Sequence, residues 1–101
     1  MRYILHVTSR ALPGREQDYD RWYDEIHAAE VLALPGFLSC DRYDELGPDG
    51  QPTGTFVAHY GVETDDPAAL LQSLFAAVPT MRLTDAFDPD SASFSFLRPH
   101  G

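Results

Sequence analysis

The segment Tyr19–Phe37, which reads YDRWYDEIHAAEVLALPGF, contains two titratable side chains that its helical pattern does not require. On a helical wheel of about 100° per residue, its aromatic residues and Ile26 mark an apolar face, with Glu30 near the middle of that face and His27 at its edge. Glu30 and His27 are three positions apart, so their side chains can meet on a helix. Because burial raises the pKa of a carboxyl group and an imidazole titrates near neutral pH, the pair has the chemistry of an acid/base device.

A structural role for the same two residues is the competing interpretation. An unpaired carboxylate buried in the core would cost several kcal/mol, so Glu30 must have a partner, contact water or carry a proton. In this interpretation Glu30 accepts a hydrogen bond from the following loop or from a strand, and His27 sits at the rim of the core. The sequence leaves both interpretations open.

Two further histidines occur in segments with strand character. His6 lies in RYILHVTS and His59 lies in TFVAHYGVE, and side chains alternate between the two faces of each strand. A single strand histidine is more often structural than catalytic, whereas two on matching faces of adjacent strands favour a pocket. We therefore predict that His6 and His59 line one cavity with His27 and are further acid/base candidates.

The other candidate residues would orient or contact a substrate. Tyr23 can donate a phenol hydrogen bond to a carbonyl group. We predict substrate contacts at Tyr19, Trp22 and Phe75, although aromatic residues at helical spacing more often form plain core. His100, near the end of the sequence, is expected to be solvated.

Several kinds of site are not expected. The sequence has no G-x-S-x-G motif, P-loop or dinucleotide-binding fingerprint, so no nucleotide cofactor is predicted. The histidines lack H-x-x-x-H or E-x-x-H spacing and would have to come from three separate elements, so no metal site is predicted. Cys40 stands beside acidic residues that would raise the pKa of its thiol, which makes it a poor nucleophile.

Strand and helix signals alternate along the chain in the order β-α-β-β-α-β. This order predicts an α+β, ferredoxin-like βαββαβ fold, in which a four-stranded antiparallel sheet has both helices on one face and its first and third strands adjacent at the centre. The connection PTMRLTDAFDPD, between the second helix and the last strand, is long and is expected to fold over the pocket mouth. The predicted strands cover residues 2–9, 37–46, 55–63 and 91–98, and the predicted helices cover residues 15–34 and 66–78.

Composition limits the classes of protein that this chain can represent. Its 101 residues suit a single domain spanning residues 1–101. The 16 acidic and 7 basic side chains give a net charge of −9, which disfavours a nucleic-acid partner. No apolar run approaches the roughly 20 residues of a membrane span, and the opening residues are too strand-like for a signal peptide. A single cysteine, Cys40, rules out an internal disulfide and agrees with a reducing compartment, so a cytoplasmic location is expected.

Two helices can cover only one face of a four-stranded sheet. The other face must meet solvent or another chain, and an exposed apolar face would be unusual for a monomer. We therefore predict a homodimer.

The run PGREQDYDRWYDEIHAAEVLALPGF, together with the order of elements that follows it, resembles the EthD-like members of the dimeric α+β barrel superfamily. In that family the first helix carries an aromatic-rich segment with a histidine and ends in Pro-Gly. The resemblance implies a homodimer whose two sheets face each other as a barrel, with helices outside and a pocket between sheet and helices in each subunit. Members include polyketide cyclases, dehydratases, quinol-forming monooxygenases, haem-degrading enzymes and muconolactone isomerase-like proteins.

Three hypotheses for function follow. The first is a cofactor-independent enzyme that uses acid/base chemistry for cyclisation, dehydration or isomerisation of a small aromatic, polyketide-like or xenobiotic compound. The second is a non-catalytic protein that holds a hydrophobic ligand in the same pocket. The third is a monooxygenase or haem-handling enzyme on the same scaffold.

Overall fold

Strand β1 (Arg2–Ala11) is one of the two inner strands of the sheet in the computed structural model, which describes residues 1–101. It pairs antiparallel with β3 (Pro52–Glu63) on one side and with β4 (Phe87–Leu97) on the other. Strand β2 (Phe37–Leu46) lies at the edge beside β3. The resulting order, β2-β3-β1-β4, confirms the predicted ferredoxin-like topology with its first and third strands adjacent.

Two helical connections join these strands. A long helix between β1 and β2 consists of α1 (Glu16–Trp22), a π-helical turn (Tyr23–His27) and α2 (Ala28–Leu32). Helix α3 (Pro67–Ala77) joins β3 to β4 and continues into one turn of 3-10 helix (Val78–Thr80). None of these helices has both the length and the apolar character that crossing a membrane requires.

The ends of the elements have local causes. Helix α3 begins at the predicted place because the Asp66 side chain accepts a hydrogen bond from the Ala69 backbone N–H at 3.1 Å. Strand β4 begins at Phe87, four residues before the predicted start at Ser91. Pro89 indicates a turn in the sequence, but β4 is an edge strand, and an edge strand tolerates a residue that cannot donate to a neighbour.

The long helix and α3 pack on the same face of the sheet. Leu5 and Val62 on the strands are fully buried, and Val31 and Leu74 reach them from the helices in one continuous hydrophobic core. The opposite face, called the open face below, has no helix over it. Its residues are the more polar set of each strand, including His6, Thr8, His59, Ser93 and Ser95. The apolar face is therefore the covered one.

The π-helical turn changes the phase of the long helix. The backbone N–H of Ala28 donates to the carbonyl oxygen of Tyr23, five residues earlier, whereas a regular α-helix would use the residue four positions earlier. The wider turn holds one extra residue. Every residue after it therefore sits about 100° behind the place that a regular wheel assigns.

This phase change corrects the sequence-based placement of Glu30. His27 takes the core-facing position that the regular wheel gives to Ile26, and Val31, which is 1% exposed, takes the position given to Glu30. Glu30 moves from the middle of the apolar face to its flank and is only half-buried. The extra residue thus turns the imidazole inward and the carboxylate outward.

Candidate active site

A cavity of about 280 Å³ lies between the sheet and the helices. Its walls are mostly hydrophobic, and its polar groups are an imidazole, an indole, four hydroxyl groups and little else. The predicted site residues Tyr19, Trp22, Tyr23, His27 and Phe75 all line it, together with Val7, Ser9, Val31, Tyr60, Leu74, Val78, Leu83, Phe87, Ala92 and Phe94. The structure therefore brings five of the predicted site residues to one place.

The imidazole of His27 is held between two aromatic rings. It stacks on Trp22 with ring centroids 4.5 Å apart and meets the edge of Tyr23 at 4.9 Å. Its Nδ1 atom is buried and has no hydrogen-bond partner. Burial lowers the pKa of His27 to about 4. The negative charge of Glu30 opposes this shift, and the positive charge of Arg42 adds a smaller lowering. The ring is therefore neutral at pH 7.

The lowered pKa of His27 predicts a loss of stability in mild acid. In the unfolded chain the imidazole binds a proton below pH 6.5, whereas in the folded chain it does so only below about pH 4. Above pH 6.5 the neutral His27 does not reduce the free energy of unfolding. As the pH falls from 6.5 toward 4, the free energy of unfolding falls by about 3 kcal/mol in total, because only the unfolded chain binds the proton. Urea unfolding at several pH values should show this slope, and the variant His27→Leu should lack it. An unchanged slope in His27→Leu would contradict the assignment, and His100→Ala serves as the control because His100 is exposed.

Two hydrogen-bonded pairs of hydroxyl groups lie in the wall of the cavity. The Tyr23 and Tyr60 hydroxyl groups are hydrogen-bonded at 2.5 Å, and Ser9 is hydrogen-bonded to Tyr19. Burial raises the pKa of Tyr23 and of Tyr60 far above the ordinary tyrosine value, so both remain protonated at neutral pH. Ser9 and Tyr60 were not among the candidates predicted from the sequence. Their position could have been predicted, because the alternation of side chains along each strand places both residues on the core face, in line with apolar residues.

Glu30 ties the long helix to the connection before β4. Both of its carboxylate oxygens accept the backbone N–H of Arg82 at 3.1 Å. The structural interpretation for this residue, a hydrogen bond from a loop, is the one that the geometry matches, although the loop is the later connection and does not follow the helix directly. Glu30 does not line the cavity.

The connection between α3 and β4 covers part of the cavity, as the sequence predicts. The indole N–H of Trp22 donates to the Arg82 carbonyl oxygen at 2.8 Å, and Leu83 supplies part of the wall. Phe75 lies at the outer side of the cavity, 41% exposed, with its ring 5.1 Å from that of Phe94. Trp22 and Glu30 therefore hold the same short segment, at Arg82, over the site.

Arg42 on β2 fixes the first half of the long helix. Its guanidinium group donates to the carboxylates of Asp20 at 2.5 Å and Asp24 at 2.8 Å, and it lies 4.4 Å from the centroid of the Tyr23 ring. Its charge is thus neutralised behind Tyr23. Nearby, burial raises the pKa of the Cys40 thiol. The direction is the one expected from the sequence, but burial and not the acidic neighbours is the larger cause.

His6 and His59 do not reach the cavity, so the prediction of one site shared with His27 is wrong. They are directly opposite each other on β1 and β3, and His6 Nδ1 lies 2.9 Å from His59 Nε2. Their side chains, however, project from the open face. The helices cover the other face because that face carries Leu5 and Val7, the strand neighbours of His6.

The open face also has a shallow hollow of about 430 Å³ at one end. It is larger than the cavity under the helices, but it contains no histidine, carboxylate or cysteine side chain. Its residues include Ile4, Leu38, Leu97 and the two arginines Arg2 and Arg98. The cavity at His27 is therefore the better candidate for acid/base chemistry.

The whole chain is similar in fold to the crystal structure of an ethyl tert-butyl ether D (EthD) family protein from Bacillus halodurans. The two proteins share 17% sequence identity with a TM-score of 0.64, over 99% of this chain and 100% of that one. At this identity the similarity shows a common fold, which confirms the EthD-like fold predicted from the sequence. No family model matches this chain, and no curated protein sequence matches it.

Proposed function

We propose that this protein catalyses proton transfer on a small neutral aromatic compound, in a cyclisation, dehydration or isomerisation that needs no cofactor. The observation that carries the proposal is His27, an imidazole that lines an apolar cavity and has a pKa lowered to about 4. The neutral ring is the form that accepts a proton. His27 therefore acts as the general base over the whole physiological pH range.

The paired phenols supply the complementary proton donor. In a hydrogen bond between Tyr23 and Tyr60 only one hydroxyl hydrogen lies between the two oxygens. When Tyr60 donates to Tyr23, the hydroxyl hydrogen of Tyr23 can point at a carbonyl or hydroxyl oxygen in the cavity. A neutral base and a protonated phenol in one cavity are the groups that enolisation, isomerisation and dehydration require.

The substrate class follows from the walls of the cavity. A volume of about 280 Å³ is at the small end of the range for ligand sites, which suits one or two fused rings. Tyr19, Trp22 and Phe75 offer aromatic surface for stacking. The cavity wall contains no arginine or lysine. The nearest cation, Arg42, lies behind Tyr23, where two carboxylates neutralise its charge. A neutral compound is therefore favoured over an anion.

The other candidate residues have different parts in this proposal. Glu30 has a structural part, because it holds the Arg82 segment that Trp22 also contacts. His6 and His59 have no role in proton transfer at the cavity, from which the sheet separates them.

A binding protein without catalysis is the second candidate, and one observation favours it. The hydroxyl groups of Ser9 and Tyr19 are hydrogen-bonded to each other, so two of the polar groups in the cavity are already satisfied. A cavity of this kind can hold an apolar ligand through its walls alone.

Hydrogen exchange on a bicyclic aromatic ketone, 2-tetralone, separates the two candidates. Trp22 is the only tryptophan of the chain and lines the cavity, so quenching of its fluorescence reports binding of the ketone. In D₂O, a proton-transfer enzyme should accelerate replacement of the hydrogens next to the carbonyl by deuterium, as followed by NMR. Quenching without faster exchange would favour the binding protein and contradict catalysis on this class of compound.

We also infer a homodimer joined through the open face. Ile4 is 38% exposed on this face and Leu97 is 42% exposed, and the exposed Leu38 lies near them. The exposed ring of Tyr43 lies farther along the same face, against His59. Burying this apolar surface against a second copy would be favourable. Analytical ultracentrifugation at about 10 µM, a working range for weak association, should give the mass of two chains. Replacing Ile4 and Leu97 by aspartate should give one chain, and a wild-type monomer would contradict the proposal.

A cytoplasmic location is part of the same proposal. The lone cysteine, Cys40, is half-buried and has no disulfide partner, which suits a reducing compartment. Cell fractionation of the source organism checks it, and recovery outside the cytoplasm would contradict it.

A further inference from the structure

We propose that His6 and His59 form a binding site for a divalent transition-metal ion on the open face, separate from the cavity at His27. The two residues are directly opposite each other on β1 and β3, and each imidazole has the other as its only hydrogen-bond partner. Cu²⁺, Ni²⁺ and Zn²⁺ are the ions that imidazole nitrogen prefers.

The distance between the two nitrogens fits a chelate. His6 Nδ1 and His59 Nε2 lie 2.9 Å apart. Two imidazoles bound to one ion at 2.0–2.1 Å place their nitrogens roughly 2.9–3.4 Å apart, depending on the angle at the metal. In the hydrogen-bonded pair the two nitrogens point at each other, so each ring must turn by roughly 35–45° to aim its lone pair at a shared ion. The hydrogen between the two nitrogens then moves to the other nitrogen of its own ring, so that both imidazoles stay neutral.

The surroundings of the pair favour a cation. Asp41 is directly opposite His59 on β2 and Ser95 is directly opposite His6 on β4, so the four residues form one row across the sheet. Residues directly opposite on neighbouring strands have Cβ atoms about 4.5–5.5 Å apart, which puts the Asp41 carboxylate within reach of an ion after a change of rotamer. The net charge of −9 further raises the local concentration of cations.

The site is incomplete as a structural metal centre. No group of three or more histidine, cysteine, aspartate or glutamate side chains is gathered at any point of the structure. Two imidazoles leave the remaining coordination positions to water or to a second copy packed on the open face, so the ion should not be needed for folding of the chain. No metal site was predicted from the sequence, because the histidines lack H-x-x-x-H or E-x-x-H spacing and come from separate elements. In the structure two of them meet across β1 and β3.

Isothermal titration with NiCl₂ at pH 7.5 tests the proposal on the intact chain. We expect one ion for each chain. His6→Ala and His59→Ala should each weaken binding at least about 10-fold, since even the loss of an outer-shell partner costs that much at many sites. His100→Ala, which changes the exposed histidine of the tail, should leave binding unchanged. Equal affinity in wild type and His59→Ala would overturn the proposal.

A measurement on the wild-type chain covers the case in which a variant fails to fold. Paramagnetic Ni²⁺ broadens the NMR signals of the rings that bind it. The ring protons of His6 and His59 should broaden first, well before those of His27 and His100. Broadening that begins at His100 or at His27 would place the ion elsewhere and overturn the proposal.

Discussion

Replacing His27 by alanine is expected to slow deuterium exchange of 2-tetralone by about 10²–10⁴-fold, the usual loss when a positioned general base is removed. The imidazole is the only group in the cavity that is both basic and neutral at pH 7. The rate per folded molecule is the quantity to compare, with the folded fraction taken from circular dichroism. Added imidazole should restore part of the rate, because it can enter the space that the side chain leaves.

The pH dependence of the same reaction gives a second readout. Because the pKa of His27 is lowered to about 4, the rate should be level above pH 5 and fall only near pH 4. An ordinary exposed histidine would place this fall near pH 6.5. Full activity in His27→Ala would end the proposal for this residue.

Glu30→Gln is the matched control for a structural effect. It weakens the two hydrogen bonds to the Arg82 N–H without touching the cavity. We expect a lower melting temperature and an unchanged rate per folded molecule, since a tie between segments changes the amount of native protein and a base changes the rate. Removing this charge also lowers the pKa of His27 further, so the rate and not the pH profile is the readout. A Glu30→Gln variant that loses as much rate per folded molecule as His27→Ala would instead give this carboxylate a part in proton transfer.

Deleting Glu25 from the π-helical turn is expected to cost less than about 1 kcal/mol of stability, although a deletion inside a helix normally rotates everything after it. Glu25 is exposed, and the turn contains one residue more than a regular α-helix needs. Without that residue the helix can close with regular bonds while His27 and Val31 keep their inward positions. Asp20 and Asp24 precede the deletion and keep their contacts with Arg42.

Deleting Gln72 from α3 is the comparison. This helix is regular, and Gln72 is exposed between two core residues, Leu70 and Leu74. The deletion turns Leu74 about 100° away from Leu70, so one of them leaves the core, at a cost of about 2–5 kcal/mol. Urea unfolding of both variants measures the difference. Equal losses in the two variants would mean that the π-helical turn is not a one-residue insertion.

Local periodicity by itself determined much of this protein. Alternation in β1 and β3 placed His6 and His59 on the same face, and the Pro-Gly and Asp-Pro signals placed the helices within a few residues of their true ends. These features depend on near neighbours in the chain, which is why a pattern of period 2 or 3.6 reveals them.

Only the tertiary structure decided which groups share a site. The hydrogen bond from Ala28 to Tyr23 sets the phase of the long helix, and a regular wheel has no means to anticipate it. That one turn moved Glu30 out of the core and His27 into the cavity. The choice of covered face likewise separated His6 and His59 from His27, because the helices must bury the apolar side of the sheet and leave the polar side open. Both outcomes depend on contacts between segments far apart in sequence, where the free energy of packing outweighs local preference.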